Sequence, residues 1–161
     1  MLFRSLAARD HVSPADRIRL SAWAQGSPGR ALTIDIPAYE RRRQAMLALL
    51  RRAAGAPFGE LIRHTEAIGR SKQETLELQL DALYDLLHDL LHLKHGGGPV
   101  INEDIRAELS SLASRLDFTW MEDALKHLDA LGGLARRNIQ KQTALEAFAI
   151  GLRPMAKGMS P

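Results

Sequence analysis

Hydrophobic residues recur every three or four positions along almost the whole chain, the spacing that lines one face of an α-helix. No segment of useful length alternates between hydrophobic and polar residues, as a half-buried strand would. We therefore predict an all-α protein, a helical bundle with a small helical unit at its N-terminus. The predicted helices cover residues 13–25, 28–32, 38–53, 58–69, 71–95 and 102–116, then a helix from Asp117 or Thr119 to about the Gly132-Gly133 pair, and a last one over 134–152.

Helix-start and helix-stop residues set these boundaries. Ser13 and Ser27 each precede a proline, the arrangement of an N-cap residue with proline in the first helical turn. Gly96-Gly97-Gly98-Pro99 ends the longest helix, because glycine and proline both interrupt helical backbone. The segment 34–37, Ile-Asp-Ile-Pro, is predicted to link the N-terminal unit to the rest of the chain.

Two predicted helices carry more hydrophobic surface than a single contact face requires. In the 71–95 helix, apolar side chains cover about 200° of the circumference. The last helix has two hydrophobic faces on nearly opposite sides, and a helix of that kind is covered on both sides, either inside a bundle or by another subunit. One face contains Ala144, Leu145, Phe148 and Leu152, and the other contains Ile139, Ala147 and Ile150.

The composition is that of an ordinary globular domain and excludes several classes of protein. The chain has 161 residues, 45% of them hydrophobic and 25% charged, which argues against disorder and fibrous repeats. No apolar run approaches the roughly 20 residues of a membrane-spanning helix, and the first residues lack the features of a secretory signal. The absence of cysteine excludes disulfides, thiolate metal sites and cysteine nucleophiles, and fits a reducing cytoplasm.

Positive charge is concentrated in the first third of the chain. Residues 1–56 contain ten basic and four acidic residues, whereas residues 57–161 contain twelve and fifteen. This asymmetry is typical of either a solvated arginine-rich surface or a unit that lies close to an anionic partner such as DNA. Base-stacking aromatic residues are missing around the arginines, which argues against sequence-specific or single-strand recognition. The candidate DNA-proximal patch consists of Arg41, Arg42, Arg43, Arg51 and Arg52.

One group of polar residues has the spacing of a metal site. His88 and His92 are four residues apart on one predicted helix, so that both imidazoles can reach a single zinc ion, and Asp85, Asp89 and His95 lie close by. We expect all five on the arc opposite the leucines, where a solvated face belongs. The sequence indicates no further ligand from another element. We therefore interpret the group as polar surface and predict no metal.

The sequence contains no recognisable catalytic or nucleotide-binding motif. The three glycines at 96–98 lack the Lys-Ser/Thr continuation of a phosphate-binding loop and do not follow a strand. No serine occurs with histidine and aspartate in a recognisable hydrolase context. We predict no catalytic residues, no cofactor and no small-molecule substrate.

Two segments together resemble the clamp-loader ATPase subunits of bacterial DNA polymerase III. Residues 22–32, Ala-Trp-Ala-Gln-Gly-Ser-Pro-Gly-Arg-Ala-Leu, are similar to the end of the small helical lid domain of that family. Residues 138–152 are similar to the closing helix of its C-terminal collar domain, and the leucine-rich helix between them matches in order and spacing. The resemblance covers essentially the whole chain. It implies a lid remnant at residues 1–35 and a collar domain at residues 36–161.

The residue at position 29 indicates which branch of this family the chain resembles. In the ATP-hydrolysing tau and gamma subunits the corresponding residue is an arginine that contacts nucleotide. Gly29 instead resembles the delta-prime branch, which does not hydrolyse ATP. The nucleotide-binding domain that precedes the lid in this family has no counterpart here, so we expect the chain to be a piece of a longer protein.

The resemblance implies a non-catalytic part of a cytoplasmic assembly that loads the sliding clamp in DNA replication. The expected partners are the delta and tau or gamma subunits, contacted through the collar, with primer–template DNA nearby and no membrane. A tau or gamma collar and a small basic nucleic-acid-binding domain remain alternatives, followed by a metal-dependent enzyme that uses His88 and His92. The candidate subunit interface lies on the last helix and consists of Leu145, Phe148, Ile150 and Leu152.

Overall fold

The computed structural model describes residues 12–135, 137 and 139–153. Within these residues every regular element is helical, which confirms the predicted all-α fold. No helix in this part of the chain combines the length and the hydrophobicity needed to cross a membrane. The eight α-helices described are α1 (Pro14–Trp23), α2 (Pro28–Thr33), α3 (Ile36–Gly55), α4 (Phe58–Arg70), α5 (Leu76–Lys94), α6 (Arg106–Arg115), α7 (Phe118–Ala135) and α8 (Lys141–Gly151), with a 3₁₀ turn (Glu103–Ile105) before α6.

Side-chain caps determine where the first three helices begin. Ser13, Ser27 and Asp35 each accept the backbone N–H three residues further on. In each case a proline occupies the first turn, where its missing N–H costs no hydrogen bond. The predicted linker at 34–37 is therefore too long, because Ile36 and Pro37 already belong to α3.

Two further boundaries differ from those predicted. Thr75 caps α5, so this helix begins at Leu76 and residues 71–75 form the loop before it. The helix predicted from 134 begins only at Lys141, whereas α7 continues through the two glycines to Ala135. A glycine costs a helix interior only about 1 kcal/mol, which the surrounding packing outweighs. Asn138 and Pro154, used to predict the last helix, and residues 1–11 of the N-terminal unit lie outside the described residues.

The main hydrophobic core is built around α5, which packs against α3, α6 and α7. Leu83, Leu86, Leu87 and Leu90 of this helix are fully buried. The broad hydrophobic arc predicted for α5 is therefore covered by the chain's own helices. On the other side of α3, α4 packs against α8. The core side chains of α3 that meet these helices are Met46, Leu47, Leu49, Leu50 and Ala53.

The close contact between α4 and α8 requires glycine at position 69. A Cβ atom there would lie 2.8 Å from the Cβ of Gln142, and the near end of a side chain cannot swing away. We expect Gly69→Ala to lower the free energy of unfolding by about 1–3 kcal/mol in urea denaturation. Gly133→Ala is the matched control, because a Cβ at 133 meets nothing within 4 Å. It should stabilise α7 by about 0.5–1 kcal/mol, and the same sign for both variants would contradict this packing.

A second, smaller hydrophobic cluster joins α1 and α2 to the first turn of α3. Its central contact is a stack of Trp23 on Tyr39, with ring centroids 4.3 Å apart. Ile101, which follows α5 in the chain, borders this cluster. The N-terminal helices are thereby held against the bundle. The buried members of the cluster are Leu20, Trp23, Ala24, Ala31 and Tyr39.

Candidate functional site

A buried polar network joins the N-terminal helices to the bundle, and Asp89 of α5 lies at its centre. Asp89 is fully buried. Its carboxylate accepts the backbone N–H groups of Ile101 (2.7 Å) and Asn102 (2.9 Å) and the Asn102 side-chain amide (2.8 Å). Charge-assisted hydrogen bonds of this kind are about twice as strong as neutral ones. Asp89 therefore fixes the turn that follows the glycine-rich loop.

Asn102 extends the network to α3. Its side-chain oxygen accepts hydrogen bonds from Arg43 (3.2 Å) and from the Tyr39 hydroxyl (3.4 Å). Arg43 also donates two parallel hydrogen bonds to Asp104, each 2.7 Å long. The Arg43 guanidinium lies 5.2 Å from the centre of the Trp23 ring, within cation–π distance. One arginine thus contacts both the small cluster and the turn before α6.

Asp85, one helical turn before Asp89, binds the N-terminal helices directly. It accepts hydrogen bonds from the Gln25 amide (2.7 Å) and the Tyr39 hydroxyl (3.3 Å), and Arg30 lies 3.6 Å away. Burial raises the pKa of the Asp85 carboxyl, while Arg30 and the hydrogen bond from Gln25 oppose that rise. Gln25 has a φ of 48°, a left-handed conformation that is uncommon outside glycine. We call the contacts of Asp85 and Asp89 with the N-terminal helices and with the turn around Ile101 the junction. The junction holds the strained turn at Gln25 in place.

The prediction that the polar face of α5 is solvated is wrong for Asp85 and Asp89. α1, α2 and the turn around Ile101 cover this part of the helix, and a single-helix pattern cannot show such a long-range contact. His88 and His95 remain exposed, as predicted. The rings of His88 and His92 lie 4.1 Å apart, and His92 donates to the Pro99 carbonyl. Among the described residues no three potential ligands are grouped to hold a metal ion.

The five arginines of the predicted basic patch lie on α3 but do not form one surface. Arg43 is only 3% exposed, so its assignment to a DNA-proximal patch is wrong. Arg52 donates to the Ala48 carbonyl, and Arg41 is exposed. Much of the positive charge is thus neutralised by acidic residues later in the chain. The ion pairs are Arg42–Glu74, Arg43–Asp104 and Arg51–Glu108.

The predicted subunit interface on the last helix is wrong for three of its four residues. Leu145, Phe148 and Leu152 are buried in the main core of this chain, where no partner can reach them. Ile150 faces the opposite side of α8 and is 44% exposed. Ala147, one turn earlier, is exposed as well. Of the four predicted interface residues, only Ile150 is exposed for contact with another chain.

Sequence reasoning missed the partners that make the junction. Tyr39, Asn102 and Asp104 belong to no recognisable sequence motif. Asp85 and Asp89 are four residues apart and therefore share one face of α5, but this spacing does not distinguish a covered face from a solvated one. The hydrogen-bond partners of Asp85 and Asp89 are 12 to 60 residues away in sequence, beyond the reach of any local pattern.

Comparison of the chain with protein-family models, with curated proteins and with solved structures finds no significant match.

Proposed function

We propose that this chain is the lid remnant and collar of a delta-prime-like subunit of a bacterial clamp loader. In this role it is a cytoplasmic, non-catalytic scaffold that holds its neighbours together while ATP-binding subunits open the sliding clamp. One observation carries the proposal: the Gly-Ser-Pro-Gly-Arg-Ala-Leu motif at 26–32 and the closing-helix motif at 138–152 occur in the expected order in one all-α chain.

The first motif has a defined structural role, which supports the proposal. Ser27 caps α2, Ala31 is fully buried in the small cluster, and Arg30 reaches Asp85 on α5. The Arg30–Asp85 ion pair ties the proposed lid remnant to the proposed collar, and Ala31 lies in the hydrophobic cluster to which Tyr39 of α3 belongs.

The glycine at position 29 supports the non-hydrolysing branch. A Cβ atom at Gly29 would meet nothing within 4 Å, so the fold leaves open space for a larger side chain. Packing therefore does not explain why the nucleotide-contacting arginine of the tau and gamma subunits is missing here. Turnover of ATP by the chain in complex with its proposed partners that depends on a residue of this chain would contradict the assignment.

Assembly with the delta and tau or gamma subunits of the same source is the direct test. We expect the chain to co-elute with them in size-exclusion chromatography. Ile150→Glu should weaken that association by about 30-fold, the effect of about 2 kcal/mol at a central interface residue. The variant should still fold, because a side chain that is 44% exposed can direct a carboxylate into water.

Ile18→Glu is the matched control, since Ile18 is an isoleucine that is 63% exposed on α1, away from α8. It should co-elute as the unmodified chain does. Failure of the unmodified chain to bind either subunit would contradict the proposed function. Equal losses of subunit binding in Ile150→Glu and Ile18→Glu would contradict only the assignment of the interface to α8.

The nucleic-acid-binding alternative has less support. Its basis was the positive charge of the first third, and three of the five arginines on α3 form ion pairs within the chain. Phosphate contacts make binding steeply dependent on salt. Tight binding of duplex DNA by the chain alone, lost between low and physiological salt, would favour this alternative over the scaffold.

A further inference from the structure

A cleft of about 280 Å³ lies between α3, α4 and the loop before α5, away from the junction and from the exposed face of α8. One wall is apolar and is formed by Ala45, Ala67 and Ile68. Ser71, Gln73 and Glu74 of the 71–75 loop also line the cleft. Lys141 of α8 holds this loop by donating hydrogen bonds to the carbonyls of Ser71 and Glu74. The cleft is therefore bounded by anchored backbone on one side and by two packed helices on the other.

Gln79, in the first turn of α5, is the unexplained polar group of this cleft. Its side chain is among the cleft-lining groups although the residue is only 2% exposed, and its carboxamide oxygen has no hydrogen-bond partner. An unpaired polar group in a buried position is energetically costly. Most buried polar side chains are paired, so an exception requires an explanation. A carboxamide offers both a donor and an acceptor, and a peptide group matches both.

His64 and Arg41 define the remaining chemistry of the cleft. His64 donates its Nε2–H to the Ala45 carbonyl at 2.8 Å, which leaves Nδ1 as an acceptor. Burial lowers the pKa of His64, so the ring is neutral at pH 7. Arg42 is engaged by Glu74, whereas among the described residues Arg41 forms no ion pair. The cleft therefore carries one positive charge without an ion pair among the described residues, together with the unpaired carboxamide oxygen of Gln79.

We propose that this cleft binds the carboxyl-terminal residue of a peptide with an aliphatic last side chain. The α-carboxylate pairs with Arg41, the last peptide group pairs with the Gln79 carboxamide, and the aliphatic side chain packs against Ala45, Ala67 and Ile68. The volume lies just below the range of about 300–1,000 Å³ typical of ligand sites, which fits a chain end rather than a large cofactor. A nucleotide fits less well, because His64 supplies the only ring for base stacking among the described residues that line the cleft.

The test is a titration followed by amide chemical shifts, with N-acetyl-leucine as the probe. We expect saturable shifts around the cleft with a dissociation constant on the order of 1 mM, as befits a ligand of this size. N-acetyl-leucinamide, which lacks the carboxylate, should bind about tenfold more weakly. Arg41→Gln should abolish the difference between the two probes. Arg63→Gln, an exposed arginine on α4 that does not line the cleft, is the matched control and should preserve it.

Gln79→Leu tests whether N-acetyl-leucine binds in the cleft or is only attracted to the charge of Arg41. It should abolish binding of N-acetyl-leucine while leaving the melting temperature unchanged or higher, because it removes an unpaired buried group. Gln79→Met gives the same comparison if the leucine variant does not fold. Unaltered binding of N-acetyl-leucine in these variants, or equal shifts with acetate, would mean that Arg41 merely attracts any anion. Either result would overturn the proposal. Absence of saturable shifts with N-acetyl-leucine would also overturn it, whatever the outcome of the assembly test.

Discussion

Asp89→Ala will lower the melting temperature of this protein by about 6–20 °C. The carboxylate is fully buried and accepts three hydrogen bonds, from Ile101 and Asn102. Its removal leaves three buried N–H donors without a partner, at a cost of about 3–5 kcal/mol. Each kcal/mol shifts the melting temperature of a domain of this size by about 2–4 °C. Thermal unfolding followed by circular dichroism measures the effect.

Asp81→Ala is the control, because Asp81 lies two turns earlier on α5 and is exposed. It should change the stability by less than about 0.5 kcal/mol. The melting temperature of Asp89→Asn should lie between those of Asp81→Ala and Asp89→Ala, since the amide keeps one acceptor but turns an NH₂ group towards other donors. Equal melting temperatures for Asp81→Ala and Asp89→Ala would contradict the central role of the network.

Asp89→Ala should also disturb the small hydrophobic cluster. Asn102 accepts from Tyr39, on which Trp23 stacks. The chain has two tryptophans, so a Trp120→Phe background leaves Trp23 as the sole reporter of fluorescence. We expect its emission to shift to longer wavelength in Asp89→Ala as the ring becomes hydrated. An unchanged emission would mean that the N-terminal helices stay docked without the network.

Phe148→Glu will leave the protein largely unfolded at 37 °C. Phe148 is 2% exposed and lies in the main core between α8 and its neighbours. Loss of the ring alone costs about 3–5 kcal/mol, and burial of the new carboxylate without a partner adds to that. Together these approach the whole stability of a typical domain, about 5–15 kcal/mol. Circular dichroism at 37 °C and urea denaturation both report the loss.

Ile150→Glu on the same helix provides the contrast. Ile150 lies two residues further on and is 44% exposed, so its replacement should cost at most about 1 kcal/mol. Phe148→Leu, which stays apolar, should retain the fold with a lower melting temperature. If the two glutamate variants melted alike, the two faces of α8 would not differ as the structure indicates.

Local signals were sufficient to predict most of the helices. The serine-proline pairs at 13–14 and 27–28 and the breaks at 55–57 and 96–99 mark ends that the structure confirms within a few residues. The same logic applied to Asp35 and Pro37 would have predicted the true start of α3, since Asp35 caps it. The sequence misplaces the start of α8 because the glycine pair at 132–133 predicts the end of a helix, whereas α7 continues through it to Ala135.

Long-range partners could not be predicted, and they decide the candidate sites. A carboxylate on a helix looks solvated unless the element that covers it is known, as Asp85 and Asp89 demonstrate. The arginines of α3 pair with acids 32 to 61 residues away in sequence. The charge asymmetry was therefore real, but part of the expected anionic partner is the chain itself.

Helix α3 runs without a break from the small hydrophobic cluster into the main core, and this continuity has a mechanical consequence. Tyr39 in its first turn packs in the small cluster, and Leu50 three turns later lies in the main core. Its 20 residues form a rod about 30 Å long. A tilt of about 10° at the bundle end moves the far end by about 5 Å. The helix can act as a lever arm, so a displacement of α1 and α2 reaches the bundle as a torque through α3 as well as through their direct contacts with Asp85.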